Sequence, residues 1–316
     1  MSIIGKSDNA ERGRMSAQEA MLDWYGCATF RLRTPQGLTV FLDAYLDRVP
    51  SAAQSGFGVD DVTEADWILV GHSHFDHLFG AERIASRTGA RVAGSYESVR
   101  ILAAAGVPED QLVPVAGGER VRLDESTTAR VLPSLHACIW SHSPKPAVDE
   151  VCIGDLGLTW QQRQQRLEEH FWPWLNTLGE DVRAHLERTN QGDRGDGGAL
   201  VFVIETSQGS LLYQDTSGCW SALIARERPD VAILSAAGRG NRDGEPNQGS
   251  IAEFVAEQAG LLQARRLVLS HHDDWLPGFS QPTDVEPIRA LLAERAPGTE
   301  LADLGYASCY PVFAGI

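Results

Sequence analysis

Apolar residues in this chain fall into short runs whose spacing alternates between strand-like and helix-like periods. Residues 67–70 form a wholly apolar run of strand length, the kind buried on both faces of a sheet. Segments 22–33 and 38–42 read as two strands around Pro35-Gln36-Gly37, where proline and glycine dictate a turn. Helical spacing follows over 79–86 and 96–105, with strands at 91–93, 111–115, 119–123 and 129–132. Residues 137–197 break this rhythm: the segment is polar yet carries Trp140, Trp160, Trp172 and Trp174, with helices predicted at 160–172 and 178–188 and a glycine-rich exit at 194–198. The alternation then resumes, with strands at 199–204, 210–214, 231–234 and 266–269 and helices around 218–226, 251–259 and 285–293. Residues 1–20 are polar and read as an N-terminal extension. Two strand-rich halves with outer helices, and no Pro/Ser linker between them, predict one layered α/β domain over 21–316 with an insertion at 137–197.

Composition narrows the function classes. Of 316 residues 43% are apolar and 22% charged, which fits a folded chain rather than a disordered one. Lys plus Arg total 27 against 43 Asp plus Glu, a formal charge of −16, and lysine occurs only at Lys6 and Lys145. Such a surface repels nucleic-acid backbones, so a small-molecule substrate is expected instead. No apolar run approaches the roughly 18–20 residues of a membrane span, and residues 1–15 lack an export-type apolar region; a cytoplasmic location is expected. Cys27, Cys138, Cys152, Cys219 and Cys309 are odd in number and scattered without a C-x-x-C pair, which suits reduced, packed thiols. Association into homo-oligomers is left open.

Histidine placement carries the chemistry. Three of nine histidines lie within Gly71-His72-Ser73-His74-Phe75-Asp76-His77, directly after the buried strand, where side chains converge at the C-terminal edge of a sheet. In an extended chain His72, His74 and Asp76 would project to one side, with His77 opening the next turn. Imidazoles with an interleaved carboxylate are a ligand set for borderline metals such as zinc. The bland alternative, a histidine-rich turn satisfied by backbone hydrogen bonds, fits a lone histidine better than three.

H-x-H-x-D-H after a hydrophobic strand resembles the signature of the metallo-β-lactamase-fold hydrolases, which implies an αββα sandwich with the site along one edge. The resemblance extends to His136 after 129–132, to Asp215 ending 210–214, and to His271 after 266–269; His272 competes with His271, which lies closer to the strand end. It implies two divalent ions, zinc with manganese or iron as alternatives. One would be held by His72, His74 and His136 and the other by Asp76, His77 and His271. Asp215 would bridge them, making Asp76 and Asp215 the carboxylates of the catalytic centre. Trp24-Tyr25-Gly26-Cys27-Ala28-Thr29-Phe30 and Phe41-Leu42-Asp43 resemble the opening hairpin of the branch that includes ascorbate-phosphate lactonases and N-acylphosphatidylethanolamine phospholipase D. Many members carry histidine where this chain has Cys27, so no role transfers to that position. Asp43 matches an aspartate that supports the metal histidines, with a turn-capping carboxylate as the equal alternative.

By this resemblance the activity is metal-dependent hydrolysis of a small ester, lactone or phosphodiester by hydroxide activated between two ions. No G-x-S-x-G elbow, P-loop or dinucleotide fingerprint competes. The alternatives are a noncatalytic metal-binding scaffold and a single-iron redox member of the same fold. Several residues keep two readings. Asp273 and Asp274 either orient ligand N–H groups or are solvated turn carboxylates. Arg239, Asn241 and Arg242 either meet an anionic substrate group or belong to a solvated loop. The tryptophans of 137–197 either dock the insertion or line a lid, and His142 reaches the site only if the insertion folds over it. Tyr213 reads as core rather than as an acid catalyst.

Overall fold

The apolar run beginning at Trp67 is a strand with both faces covered, and the molecule is built outward from such strands. The computed structural model describes residues 19–138, 158–189 and 197–316. Among these, β1 (Met21–Trp24), β2 (Phe30–Arg33), β3 (Thr39–Leu42), β4 (Trp67–Leu69), β5 (Arg91–Gly94) and β6 (Leu112–Pro114) lie side by side in chain order. A second sheet holds β7 (Arg120–Arg122), β8 (Thr128–Pro133), β9 (Leu200–Glu205) and β10 (Ser210–Gln214). Next come β11 (Gly218–Cys219), which leaves to form a small sheet, and β12 (Val231–Ser235), which rejoins the second. Strands β13 (Asn241–Arg242) and β14 (Glu245–Pro246) complete the small sheet. The second sheet ends with β15 (Arg266–Ser270) and β16 (Glu300–Ala302), and β17 (Tyr310–Pro311) pairs with β1.

Alternation within the strands builds the layers. Leu200, Phe202 and Ile204 of β9 meet Leu22, Phe30, Leu69 and Tyr213 between the two sheets, while Val201 and Val203 point outward to a second apolar layer. Helices α1 (Phe75–Leu78), α2 (Ala81–Thr88) and α3 (Tyr96–Ala104) cover the outer face of the first sheet through Leu78, Ile84, Ala85 and Leu102. In the insertion, α4 (Trp160–Arg166) runs through one π-helical turn, Leu167–Phe171, into α5 (Trp172–Leu175), followed by α6 (Glu180–Thr189). Short α7 (Ser221–Ile224), α8 (Ile251–Leu262) and α9 (Glu286–Arg295) cover the outer face of the second sheet. Helix–sheet–sheet–helix layering is thus the expected αββα sandwich. No described helix is long and apolar enough to cross a membrane.

Three expected elements are corrected. The 22–33 run is two strands, because the chain turns back through Gly26 (φ 87°) and Cys27 (φ 48°) and Tyr25 N–H donates to Thr29 O at 2.9 Å. The 79–86 helix begins at Ala81 and runs to Thr88, because Gly80 (φ 111°) separates it from α1; an added Cβ at Gly80 would meet the Ala44 carbonyl at 2.7 Å. The 218–226 helix shrinks to α7, because Gly218 and Cys219 pair with Asn241 and Arg242 instead. Residues 1–18, Trp140, His142, Cys152 and residues 194–196 of the glycine-rich exit lie outside the described residues.

The insertion is anchored by α6. Val182 and Leu186 join Tyr45, Phe75 and Trp275 in an apolar cluster, and buried His185 sits among them. Arg188 Nη2 donates to His185 Nδ1 at 3.0 Å; Nε2 therefore carries the proton and meets Tyr45 Oη at 2.9 Å. Burial, helped by the Arg188 charge, pulls the His185 pKa down to about 4. The unfolded chain takes up a proton at this residue near pH 6.5, and the folded chain refuses it until about pH 4. Stability present above pH 6.5 should therefore fall as pH drops through that window, by up to about 1.4 kcal/mol per pH unit from this group. Urea midpoints measured from pH 7 to 4 should fall less steeply in His185→Gln than in the wild type.

Candidate metal centre

Topology brings the donors to one edge. Strands β3 and β4 are parallel, so Asp43 and Gly71-His72 leave the first sheet together. In the second sheet β8 and β10 each run antiparallel to β9, while β12 and β15 run parallel to β10. The C-terminal ends of β8, β10 and β15 therefore deliver His136, Asp215 and His271 to the same side. The motif itself does not stay extended: His74 caps α1 (φ −64°, ψ 156°), and Asp76 and His77 ride on its helical turn. Leu78 N–H donates to the His74 carbonyl at 3.0 Å, which winds the chain as soon as His74 has passed.

Two groups of donors result. In the first, His72 Nε2 lies 3.1 Å from His74 Nδ1, and the His136 ring stands 4.8 and 4.7 Å from those two rings. His136 Nδ1–H donates to the Ala137 carbonyl at 2.8 Å, which leaves the lone pair on Nε2. In the second group, Asp76 Oδ2, His77 Nε2 and His271 Nε2 form a triangle with every side 3.3 Å. Tetrahedral donors about 2.0–2.1 Å from a zinc ion stand roughly 3.3–3.4 Å apart, so the spacing fits a cation. Cys27 Sγ lies 3.4 Å from His271 Nε2 at the margin of this triangle.

Buried carboxylates stand behind the rings. Asp43 Oδ2 accepts His77 Nδ1–H at 2.5 Å, and its Oδ1 accepts Gly71 N–H at 2.9 Å. Asp215 Oδ2 lies 2.6 Å from His72 Nδ1 and 3.3 Å from His77 Nδ1. Among the described residues, Asp215 Oδ1 and His271 Nδ1 are buried polar atoms without a hydrogen-bond partner, and a bound cation would offset the cost at the carboxylate oxygen. Charge is already sorted along this edge. Burial, with the neighbouring histidines, holds His72 and His74 neutral well below the usual imidazole range. For His77 burial is outweighed by Asp76, Asp43 and Asp215, which push it well above that range. Burial also raises Asp43 to about 6 and lifts Asp215. The donor set therefore fits divalent cations in its oxygen and nitrogen chemistry, its spacing and its orphaned oxygen.

Other expected residues lie elsewhere. His272 turns from the donors and stacks on Trp24 at 4.5 Å, leaving His271 as the histidine of this edge. Asp273 touches no ligand N–H; it accepts the Cys27 backbone N–H at 2.9 Å and pairs with buried Arg48 at 2.9 Å. Asp274 accepts from Ser280 in a turn. Asn241 donates to the His136 carbonyl at 2.8 Å, Arg239 donates to the Asn247 carbonyl, and Arg242 pairs with Glu257, so none of the three lines the cavity. Tyr213 is fully buried, with its hydroxyl on Asp43 and the Ala28 carbonyl.

A cavity of about 340 Å³ opens on both donor groups. Its wall comes from Leu167, Phe171, Trp172 and Leu175 of the insertion and from Trp275 and Phe279. Trp174 meets Phe279 at 5.8 Å, so the insertion both docks and lines. Trp275 and Phe279 escaped sequence reasoning, although an aromatic-rich stretch directly after the late histidines was a usable signal. Gly71 escaped as well: an added Cβ would stand 2.0 Å from Asp215 Oδ2.

Comparison with known proteins supports the fold. Residues 39–154 match the beta-lactamase superfamily domain. A solved structure described as Igni18, a novel metallo hydrolase from Ignicoccus hospitalis, superposes with a TM-score of 0.57 at 14% identity, covering 92% of this chain and 97% of that one. The fold is the metallo-β-lactamase fold, shared also with YhfI of Bacillus subtilis at a TM-score of 0.53 and 12% identity, covering 92% of this chain and 98% of that one. The chain's matches among curated relatives are shorter. It is 33% identical over 122 residues to a UPF0173 metal-dependent hydrolase of Myxococcus xanthus, spanning 39% of this chain and 41% of that one. It is 40% identical over 88 residues to a UPF0173 metal-dependent hydrolase of Anaeromyxobacter sp. (strain K), spanning 28% and 31%. The chain thus spans less than half the length of these two relatives.

Two substitutions in this metallo-β-lactamase-fold chain test the supports behind the donors. Asp43→Asn should weaken metal binding by about 10–100-fold, read by competition with a chelating dye. Gly71→Ala should displace the Asp215 carboxylate and lower bound metal measured by elemental analysis, with the circular dichroism of the fold retained.

Proposed function

We propose that this chain is a metal-dependent hydrolase with a dinuclear centre, acting on a small ester, lactone or phosphodiester that carries an apolar group. The observation that supports it most is the pair of donor groups opening on one apolar-walled cavity. His72, His74 and His136 would hold one cation and Asp76, His77 and His271 the other, with Asp215 Oδ1 the oxygen left to face both. Bound there, the cations supply Lewis acidity and lower the pKa of water toward about 7.

The chain's own residues do the rest. Asp43 and Asp215 take the Nδ1 side of His77 and His72 and so fix which nitrogen faces the cavity. Phe171, Trp172, Trp275 and Phe279 exclude water and offer an apolar surface to the non-reacting part of the substrate. Arg163 is the one Arg or Lys among the described lining residues and suits an anionic substrate group. Asp76 holds its charge: burial opposes ionisation, but His77 and His271 pull its pKa well below the usual carboxylate range.

Chelator-stripped protein, reloaded with zinc, manganese or iron, should regain hydrolysis of lactones or of bis-(p-nitrophenyl) phosphate at about two metals per chain. Asp76→Ala should lose at least about 10²-fold in turnover. Full metal loading with no hydrolysis of any ester, lactone or phosphodiester would sink the reading, as would a single iron per chain. Trp172→Ala should lower kcat/KM by about 10-fold for substrates with a bulky apolar group and leave compact ones little changed.

A further inference from the structure

The hairpin between β1 and β2 holds a cysteine in a backbone conformation that cysteine rarely adopts. Cys27 has φ 48°, in the left-handed region, and the residue facing it, His271, has φ 61°. The two are tied together, His271 N–H donating to the Cys27 carbonyl at 2.8 Å. Left-handed conformations at non-glycine residues cost about 1–3 kcal/mol each and persist only where the surroundings impose them. Here the surroundings do. Asp273 accepts the Cys27 N–H, Tyr306 donates to Asp273, and buried Arg48 pairs with Asp273 while donating to the Tyr25 carbonyl at 2.8 Å.

This clamp aims the thiol at the second donor group. Cys27 is fully buried, its Sγ 3.4 Å from His271 Nε2 and 3.6 Å from the Asp76 carbonyl. Sulfur about 2.3 Å and nitrogen about 2.0–2.1 Å from a tetrahedral zinc ion stand roughly 3.5 Å apart, close to the observed spacing. The Asp76, His77 and His271 donors form one triangular face of such a site, and the sulfur lies beside it.

We propose that Cys27 binds, as its thiolate, the cation held by Asp76, His77 and His271. The inference rests on the dinuclear reading above and adds what distinguishes the two ions. On binding, the S–H bond breaks, the proton leaves to solvent and a sulfur–metal bond forms, with no change of oxidation state. With Asp215 Oδ1 facing both cations, Cys27 would give its cation one protein donor more than the cation of His72, His74 and His136, which keeps more room for water. A thiolate also favours zinc over manganese at the site that holds it.

Cobalt(II) titrated into the metal-stripped full chain tests this, because cobalt–thiolate bonds give an intense near-ultraviolet charge-transfer band that nitrogen and oxygen donors do not. The band should appear in the wild type and vanish in Cys27→Ser, whose zinc affinity at that site should fall by about 100-fold or more. Cys27→His should retain cobalt without the band. X-ray absorption of zinc-loaded wild type, which needs no variant, should show a sulfur neighbour at about 2.3 Å. Bound cobalt without the band, a band that survives in Cys27→Ser, or zinc with no sulfur neighbour would overturn the role of Cys27 and leave the dinuclear reading standing. Failure of the wild type to bind cobalt or zinc at all would overturn both.

Discussion

Three carboxylates lie buried along one edge of the sandwich. Asp43 and Asp215 are fully enclosed and Asp76 nearly so, in the midst of five histidines with rings as close as 3.9 Å. Charges taken out of water must be compensated where they stand, or the fold loses several kcal/mol for each. Part of the compensation is visible: Asp43 and Asp215 spend oxygens on imidazole N–H groups, and Asp76, Asp43 and Asp215 push the His77 pKa up against the pressure of burial. The remainder is an orphaned carboxylate oxygen and a triangle of donors at metal-ligand spacing. These features suit a receptacle for positive charge.

Strand direction explains how such a costly arrangement is assembled. The donor loops follow β4, β10 and β15, buried on both faces, and the half-buried β8, so their starting points are set by the close packing between the sheets. Because β3 and β4 share one direction, as do β8, β10 and β15, the loops emerge on one side without strain in the strands. Strain is concentrated instead in single residues at the loop entrances. The insertion contributes no donor among its described residues; it supplies the apolar wall and is held by α6 through a neutral, buried histidine.

Much of this was legible in the sequence because it is local. The H-x-H-x-D-H run is contiguous, and His136, Asp215 and His271 each follow an apolar run readable by itself. Long-range partners left no such trace. Nothing in the spacing says that Asp273 would turn to Arg48 and the Cys27 backbone, that His272 would stack on Trp24, or that Asn241 would hold the His136 carbonyl. The 22–33 run read as one strand because a single glycine inside an alternating pattern resembles a bulge as much as a turn. The wall of the cavity was hidden for a similar reason: Trp275 and Phe279 come to line one cavity with Phe171 and Trp172 only in three dimensions.

Cys27, Asp43 and His271 all hold left-handed backbones, and none is glycine. Glycine at any of them would relieve roughly 1 kcal/mol or more of torsional cost, yet remove a side chain that meets the edge or its supports. Robustness and readiness thus pull in opposite directions at three positions. A lineage that ceased to need the ions would drift toward glycine there, gaining thermal endurance as it fell idle.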